Sequence, residues 1–348
     1  MEPKPQVQQM NTSTNKPFKF QPKPEFEARM NSLLKDDEDK KAYWEIIHTE
    51  PQNSIRCNTL KISPKDLLKR FEKKGWKISQ PFEKEYPEVM IIETQLKPGE
   101  LGRSKEHLLG YYYVQEISSM LPILVLNPTE QDSLVDLCAS PGSKTTQAAA
   151  KMNNAGNILA NDNNLGRMVI LAANMEKCGV SNAVVTKRDG VQLCRKLKKI
   201  DFQTNKILVD APCSGEGTIR SNPRTMLMWN EKMYPSFHNQ QKILASSALE
   251  LLQVDGEMVY STCTHAPEEN EEIVAHLIEN YDIELEEIKL PIKTRPGIES
   301  WKGKKFPTEI KKCARVYPQD NDTEGFFICK IKKLSDKKPG DENLEEEQ

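Results

Sequence analysis

Two cysteines stand directly behind two apolar runs. "ILVDAPCSGEGT" (207–218) carries Asp210 and Cys213, and "MVYSTCTHAPEENE" (258–271) carries Cys263. Both runs read as strands, so both thiols would be presented at strand ends rather than packed inside elements. A thiol is partly ionised near neutral pH and intrinsically nucleophilic, so a modest fall in its pKa activates it. Burial as an inert apolar group is the commonest fate of an intracellular cysteine. Cys57, Cys178, Cys194, Cys313 and Cys329, inside helices or strands, take that reading. Cys138 is intermediate, because it belongs to a loop with a separate claim to function.

The elements that must position the pair follow a regular alternation. After a helix "VQEISSMLPILVL", strand "SLVDLCA" leads to helix "GSKTTQAAAKM", strand "NILAND" to helix "LGRMVILAANMEKCG", and strand "NAVVTKRDG" to strand "KILVDAP". Helix "FHNQQKILASSALELL", strand "EMVYSTCT" and helix "PEENEEIVAHLIENY" follow. "IELEEI" and "GFFICKI" close the series as two β segments. Such alternation predicts an α/β fold: a mostly parallel, doubly wound, Rossmann-like sheet covered on both faces. Ahead of it, "NSIRCNTLKI" reads as a strand, and "SPKDLLKRFEKKG" as a helix with Ser63 as N-cap, Pro64 in the first turn and Gly75 as the stop. The expected division is a disordered tail at 1–24, a smaller α+β module at 25–113, a catalytic domain at 114–333 and an acidic tail at 334–348.

In a doubly wound sheet, ligands bind at the carboxyl ends of the strands beside the first βα turn. That turn is "DLCASPGSKTT", which is neither a dinucleotide-binding nor a P-loop signature. Its small residues let a ligand approach the backbone closely. Asp162 ends the second strand, where an acid can accept from ribose hydroxyls, and Asp189 ends the third, within reach of an adenine amine. A single acid at a strand end is usually a cap or turn former; acids in register at successive strand ends point to an adenosine-bearing ligand without a need for phosphates. S-adenosylmethionine fits.

A thiolate and S-adenosylmethionine are needed together when carbon 5 of a pyrimidine is to be methylated. Nitrogen and oxygen attack a methyl group directly with a lone pair, whereas that carbon is too weak a nucleophile. Addition of a thiolate to carbon 6 turns the ring into an enamine-like species that can attack. A proton or hydrogen bond at nitrogen 3 stabilises the developing charge, and Asp210 is placed for that role if it is protonated or shares a proton with the base. Which of the two thiols attacks is open at this point.

"YVQEISSMLP", "LCASPGSKTTQAA", "DAPCSGEGT" and "STCTHAPEENE", in this order, resemble the Sun-domain family of RNA cytosine-5 methyltransferases, and the likeness runs from "SIRCNTLK" to "GFFICKI". The resemblance implies that Cys263 is the nucleophile, that Cys213 assists release of the methylated product, and that Asp210 contacts the base. It implies cofactor contacts from Cys138, Ala139, Ser140, Pro141, Gly142, Ser143 and Lys144, together with Asp162, Arg167, Asp189 and Asp210. Lys144 would sit between the methionine end and the catalytic acid. Ser140 and Ser143 stand where the family more often shows Ala and Gly. DNA cytosine-5 methyltransferases would instead make Cys213 the attacker, but their Glu-Asn-Val motif is absent. A non-catalytic RNA-binding scaffold would be expected to have lost a cysteine or Asp210.

The totals fit an intracellular RNA enzyme. The 348 residues carry a formal net charge of −2, which argues against nonspecific coating of nucleic acid, and the eight cysteines show no C-x-x-C pair, so no metal is expected. No run of about 18 apolar residues would span a membrane, and the N-terminus lacks a secretory signal, so a cytoplasmic monomer is expected. Lys and Arg cluster in "KRFEKKGWK", "RKLKK", "WKGKKF" and "EIKKCARVY"; solvated surface is the bland reading of each. A stacked cytosine must be flipped out or unpaired, at a cost of a few kcal/mol. The N-terminal module is expected to supply the compensating contacts through Arg56, Asn58 and the basic helix Lys65–Lys74, while "YYYVQEISSM" lines the cleft beside it, adding Tyr112, Gln115, Ser118 and Ser119 as RNA-binding candidates with Tyr111 or Tyr112 stacking on a base. Its removal is then expected to weaken RNA binding and leave cofactor affinity nearly intact. Transfer RNA, in the manner of an archaeal-type enzyme, is the first expectation for the substrate, and ribosomal RNA the second.

Overall fold

The structure, a computed structural model, describes residues 21–337; most of the two expected tails lies outside them. Helices α1 (Pro24–Leu33) and α2 (Asp37–Ile46) come first, followed by β1 (Ser54–Cys57), α3 (Pro64–Lys73), β2 (Ile78–Ser79) and β3 (Val89–Ile92). Two single turns, α4 (Glu100–Arg103) and α5 (Lys105–Leu108), lead into β4 (Tyr112–Val114). The strands form an antiparallel sheet in the order β2-β3-β1-β4. Ser63 caps α3 by accepting from the Asp66 N–H at 3.1 Å, and Gly75 ends it at φ +75°, as the sequence predicts. Leu67 and Phe71 of α3 pack on Ile55, Met90 and Tyr112 to give this sheet its own core. Helices α1 and α2 do not join that core. Their Phe26, Met30, Tyr43 and Ile47 pack with Ile219, Met226, Trp229, Tyr234 and Tyr317 of the catalytic half.

The second half begins with α6 (Ile117–Leu126) and alternates through β5 (Ser133–Asp136), α7 (Ser143–Lys151), β6 (Asn157–Asp162), α8 (Leu165–Cys178), β7 (Ala183–Lys187), α9 (Gly190–Lys199) and β8 (Lys206–Asp210). After α10 (Arg224–Met228) come α11 (Tyr234–Leu251), β9 (Glu257–Thr262), α12 (Glu271–Asn280), β10 (Ile283–Glu286) and β11 (Arg295–Pro296). The hairpin β12 (Ser300–Trp301) and β13 (Lys304–Lys305), then β14 (Ala314–Val316), α13 (Pro318–Asn321) and β15 (Phe326–Lys333), complete the chain. The central strands β7-β6-β5-β8-β9 run parallel. Residues from α6, α7 and α8 cover one face, and residues from α9, α11 and α12 the other. The order reverses between β5 and β8, and a ligand crevice opens at such a switch point.

One wing of the sheet departs from the sequence reading. Strand β15 pairs antiparallel with β9, β10 and β14, and β11 adds to β14. Strand β14 lies within the basic cluster "EIKKCARVY", read above as surface. Arg315 is instead 2% exposed and grips Glu271 with two bonds of 2.6 Å. A charged residue in a short strand carries no periodic signal of burial; its partner, at the start of α12, supplies the reason.

Candidate active site

The two sulfurs predicted at strand ends are brought together. Cys213 follows β8, Cys263 follows β9, and their Sγ atoms lie 3.3 Å apart. Asp210 and Ser261 pair in register across the same strands, so their side chains emerge side by side. The Ser261 hydroxyl donates to Asp210 Oδ1 at 2.8 Å, and Lys144 Nζ donates to Asp210 Oδ2 at 2.7 Å. Lys144 is steadied from behind by Ser119 Oγ at 3.1 Å and by the Phe326 ring, 5.2 Å from Nζ to centroid. Both oxygens of Asp210 thus accept, one from a hydroxyl and one from an ammonium group. Contact with Cys263, and then burial, raises the pKa of the Cys213 thiol.

The loop between β5 and α7 separates two clefts, with Cys138 in the wall of each. One cleft, about 690 Å³ with open solvent included, is walled by Tyr113, Glu116, Ser140, Pro141, Lys144 and Asp210. The other, about 470 Å³ on the same basis, is lined by Leu137, Asp162, Arg167, Asp189, Val191 and Leu244. Ala139 is buried within the loop. Gly142 turns it at φ 101°, where an added Cβ would come 3.0 Å from Leu171. Arg167 closes it from α8, donating to the Ser140 carbonyl at 2.9 Å, while Ser140 Oγ donates to the Arg167 carbonyl at 2.8 Å. Ser143 opens α7 in regular helix, so the serine is accommodated without loosening the turn.

These residues fit S-adenosylmethionine. Asp162 is nearly fully buried, with Oδ1 accepting from the Asn164 N–H at 2.9 Å and Oδ2 lying 3.3 Å from Arg167. Asp189 caps α9 through the Gln192 N–H at 3.0 Å and still lines the cleft, so the cap and ligand readings coexist. Apolar Leu137, Val191 and Leu244 suit the faces of a flat base. Asp136 was passed over as a site residue although it ends the first strand. Its Oδ2 accepts from Thr145 at 2.7 Å, its Oδ1 is buried without a partner, and burial chiefly, opposed by Thr145 and aided by Asp210, pushes its pKa up to about 7. A buried carboxyl with one oxygen left over, beside a second acid, is complementary to a cationic ligand end.

The expected RNA contacts are placed differently. Arg56 is 2%, Asn58 1%, Tyr112 0%, Gln115 4% and Ser118 1% exposed, with Ser119 behind Lys144. Asn58 Nδ2 donates to the Gly110 and Cys178 carbonyls at 2.7 and 2.8 Å, and Tyr112 OH donates to the Leu101 carbonyl at 2.6 Å. The Tyr112 ring packs on Phe71 and His107, so it offers no face for a base. Arg56, Asn58 and Gln115 hold the two halves together, whereas Tyr112 stays within the N-terminal core. Polar residues buried at an internal interface look in sequence like polar residues on a surface, because neither shows an apolar period.

A second polar cluster, also missed, lies beneath the thiol loops. Glu216 accepts from Trp229 Nε1 at 3.0 Å, from Tyr234 OH and from Thr264 Oγ1 at 3.2 Å, and Arg29 Nε stands 3.6 Å away. Thr264 and Ser214 share a hydroxyl contact of 2.7 Å. Each of these two residues directly follows one of the cysteines, so the contact ties the thiol loops to each other. That adjacency was the available signal.

Comparison with known proteins agrees with this geometry. Residues 123–332 match the family described as 16S rRNA methyltransferase RsmB/F, and residues 23–117 match the N-terminal domain of 16S rRNA methyltransferase RsmF. A tRNA (cytosine(49)-C(5))-methyltransferase of Pyrococcus abyssi is 40% identical over 85% of this chain and 93% of its own length. The ribosomal RNA small subunit methyltransferase F of Vibrio campbellii is 39% identical over 82% of this chain, which spans only 57% of that relative. Among solved structures, a methyltransferase homolog from Pyrococcus horikoshii superposes with a TM-score of 0.74 at 31% identity, covering 90% of this chain and all of that one. NSun6 from the same organism, solved with SFG, gives a TM-score of 0.77 at 25% identity, covering 90% of this chain and 99% of its own.

Proposed function

The chain belongs to the RsmB/F family of RNA cytosine-C5 methyltransferases, and from that premise we propose that it methylates carbon 5 of a cytosine in transfer RNA through a covalent bond between Cys263 and carbon 6. The observation that carries this reading is the pair of sulfurs 3.3 Å apart at the strand ends that also hold Asp210. When bound, S-adenosylmethionine supplies an electrophilic methyl group on a sulfonium; Asp136, Asp162, Asp189, Arg167 and the loop 138–144 would hold it.

The chain's own residues do the rest. The family resemblance assigns the attack to Cys263, whose thiolate is the reactive form, with the Cys213 sulfur 3.3 Å away. Addition forms the S–C6 bond and moves the C5–C6 π electrons toward carbon 5. Lys144 passes a proton to Asp210, which shares it with nitrogen 3 as the ring becomes electron-rich. Carbon 5 takes the methyl group. Cys213, as its thiolate and at contact distance from Cys263, takes the proton from carbon 5; the C–H electrons re-form the double bond and the S–C6 pair returns to Cys263.

Transfer RNA is the first reading because the tRNA (cytosine(49)-C(5))-methyltransferase of Pyrococcus abyssi is 40% identical over 85% of this chain. Ribosomal RNA is the second reading, supported by the description of the matching family. With the purified full chain, RNA and cofactor, Cys213→Ala should accumulate a denaturant-resistant protein–RNA adduct, while Cys263→Ala should form none and methylate nothing. The reverse pattern would exchange the roles of the thiols. Product on duplex DNA but on no RNA would overturn the substrate.

A further inference from the structure

Arg56 is the most heavily engaged buried cation in the N-terminal sheet, yet no carboxylate pairs with it in a salt bridge among the described residues. It projects from β1 across the boundary between the two halves. Its Nη1 donates to the Gln115 carboxamide and to the Ser143 carbonyl at 2.7 Å. Its Nη2 donates to Thr146 Oγ1 at 2.8 Å, and its Nε is buried without an acceptor. Thr146 Oγ1 in turn donates to the carbonyl of Gly142, the turn residue of the cofactor loop, at 2.7 Å.

Stability alone would not select this arrangement. Burying a guanidinium without a counter-ion costs several kcal/mol, and burial is the main cause that lowers its pKa, to about 10. Setting a cation beside the N-terminal end of α7 also opposes the helix dipole. Both costs acquire a purpose if the loop at that helix end must be held open for a ligand with a carboxylate. S-adenosylmethionine carries one on its methionine end.

A second contact repeats the pattern. Tyr113, on β4 beside Arg56, donates from its hydroxyl to the Pro141 carbonyl at 3.2 Å, and Asn174 of α8 donates to the same carbonyl at 2.8 Å. The Arg56 guanidinium lies 5.5 Å from the centroid of the Tyr113 ring. Two neighbouring strands of the N-terminal sheet therefore reach the carbonyls of Pro141 and Ser143 on either side of Gly142.

We propose that Arg56, with Tyr113, is a positioning residue for S-adenosylmethionine: the N-terminal module completes the cofactor site by clamping the loop 138–144 from outside. This rests on the assignment of that loop to the cofactor, and it reverses the expectation that removing the module would spare cofactor affinity.

The test uses the full chain with Arg56→Met, Arg56→Lys and Tyr113→Phe. Calorimetry without RNA gives the cofactor Kd, and steady-state kinetics separate cofactor KM from kcat. Arg56→Met should weaken cofactor binding by about tenfold to a hundredfold, as expected when buried acceptors lose their donor, with kcat at saturating cofactor within roughly threefold of the parent. Arg56→Lys should fall between, and Tyr113→Phe should cost about twofold to tenfold. Hydrogen exchange should quicken at the amides of 139–146 and not in β5 or β8. Unchanged cofactor Kd in these variants, or a rise confined to the Kd for RNA, overturns the proposal. Should Arg56→Met fail to fold, Tyr113→Phe and Thr146→Val decide it by the same readouts. A parent protein that binds no cofactor would refute the site assignment itself, a separate outcome.

Discussion

Two polar clusters lie close together at the ends of β8 and β9, and they are built from the same residue types for opposite ends. In the first, Lys144, Asp210 and Ser119 line an open cleft with Ser261 buried behind Asp210, and 26% of the Asp210 side chain is exposed. In the second, Glu216 and Thr264 are closed off from solvent, and Glu216 is surrounded by donors from Trp229, Tyr234, Thr264 and Arg29. The difference teaches how to divide reaction from support. A carboxylate that spends its acceptors on protein donors in a closed cavity fixes geometry. One that shares the wall of an open cleft with a lysine has something left to offer a substrate.

Breaking each cluster should show the division. Asp210→Asn keeps the shape and the Ser261 contact but loses the charge that holds Lys144. It should cut kcat by about 100-fold to 10,000-fold, as for loss of a positioned acid–base group, with the melting temperature nearly unchanged. A loss within tenfold would mean that the open cluster only supports. Glu216→Ala should do the converse: stability should fall by about 3–5 kcal/mol, because Arg29 and three further donors lose a buried partner, while the cofactor Kd of the folded fraction stays near that of the parent. A normal melting temperature with abolished methylation would place Glu216 in the reaction and erase the distinction.

The open cluster was the legible one. Cys213, Cys263, Asp210, Asp162 and Asp189 each close an apolar run, so periodicity alone places them at the carboxyl edge of a parallel sheet. The parallel strands and most of their helices were legible for the same reason, but α9 was not, its lysine-rich end reading as a basic surface cluster between the third and fourth strands. The closed cluster and the module boundary were not. Arg29, Arg56, Gln115, Glu216 and Arg315 are charged or polar residues whose partners lie far away in the chain; Arg29 meets Glu268, for example, 239 residues on. Nothing local marks such a residue as buried, and the default that charge means surface sends each one to the wrong side. The antiparallel wing was hidden likewise, because β11 and β14 are too short to show alternation.

The smallest expected effect probes how the closed cluster meets the thiol loop. Glu269 Oε2 accepts from the Ser214 N–H at 3.0 Å and from Gln241 Nε2 at 2.8 Å, while its Oε1 is buried without a partner. Burial pushes its pKa up to about 7 from 4.5, against the pull of Ser214 and Gln241 and with help from Glu216. A carboxyl raised on folding binds its proton more tightly in the native state, so its contribution is complete below about pH 4.5 and is lost as pH rises through about 7. Glu269→Gln removes that titration and retains an acceptor for Ser214. The melting temperature of the variant relative to the parent should therefore climb between pH 5 and pH 8, by the equivalent of about 1–3 kcal/mol. Asp136 and Glu324, each also pushed up to about 7, shift parent and variant alike and drop out of the difference. If the two melting curves stay parallel across that range, Glu269 is ionised throughout, and the loop that carries Cys213 rests on a buried charge rather than on a neutral cap.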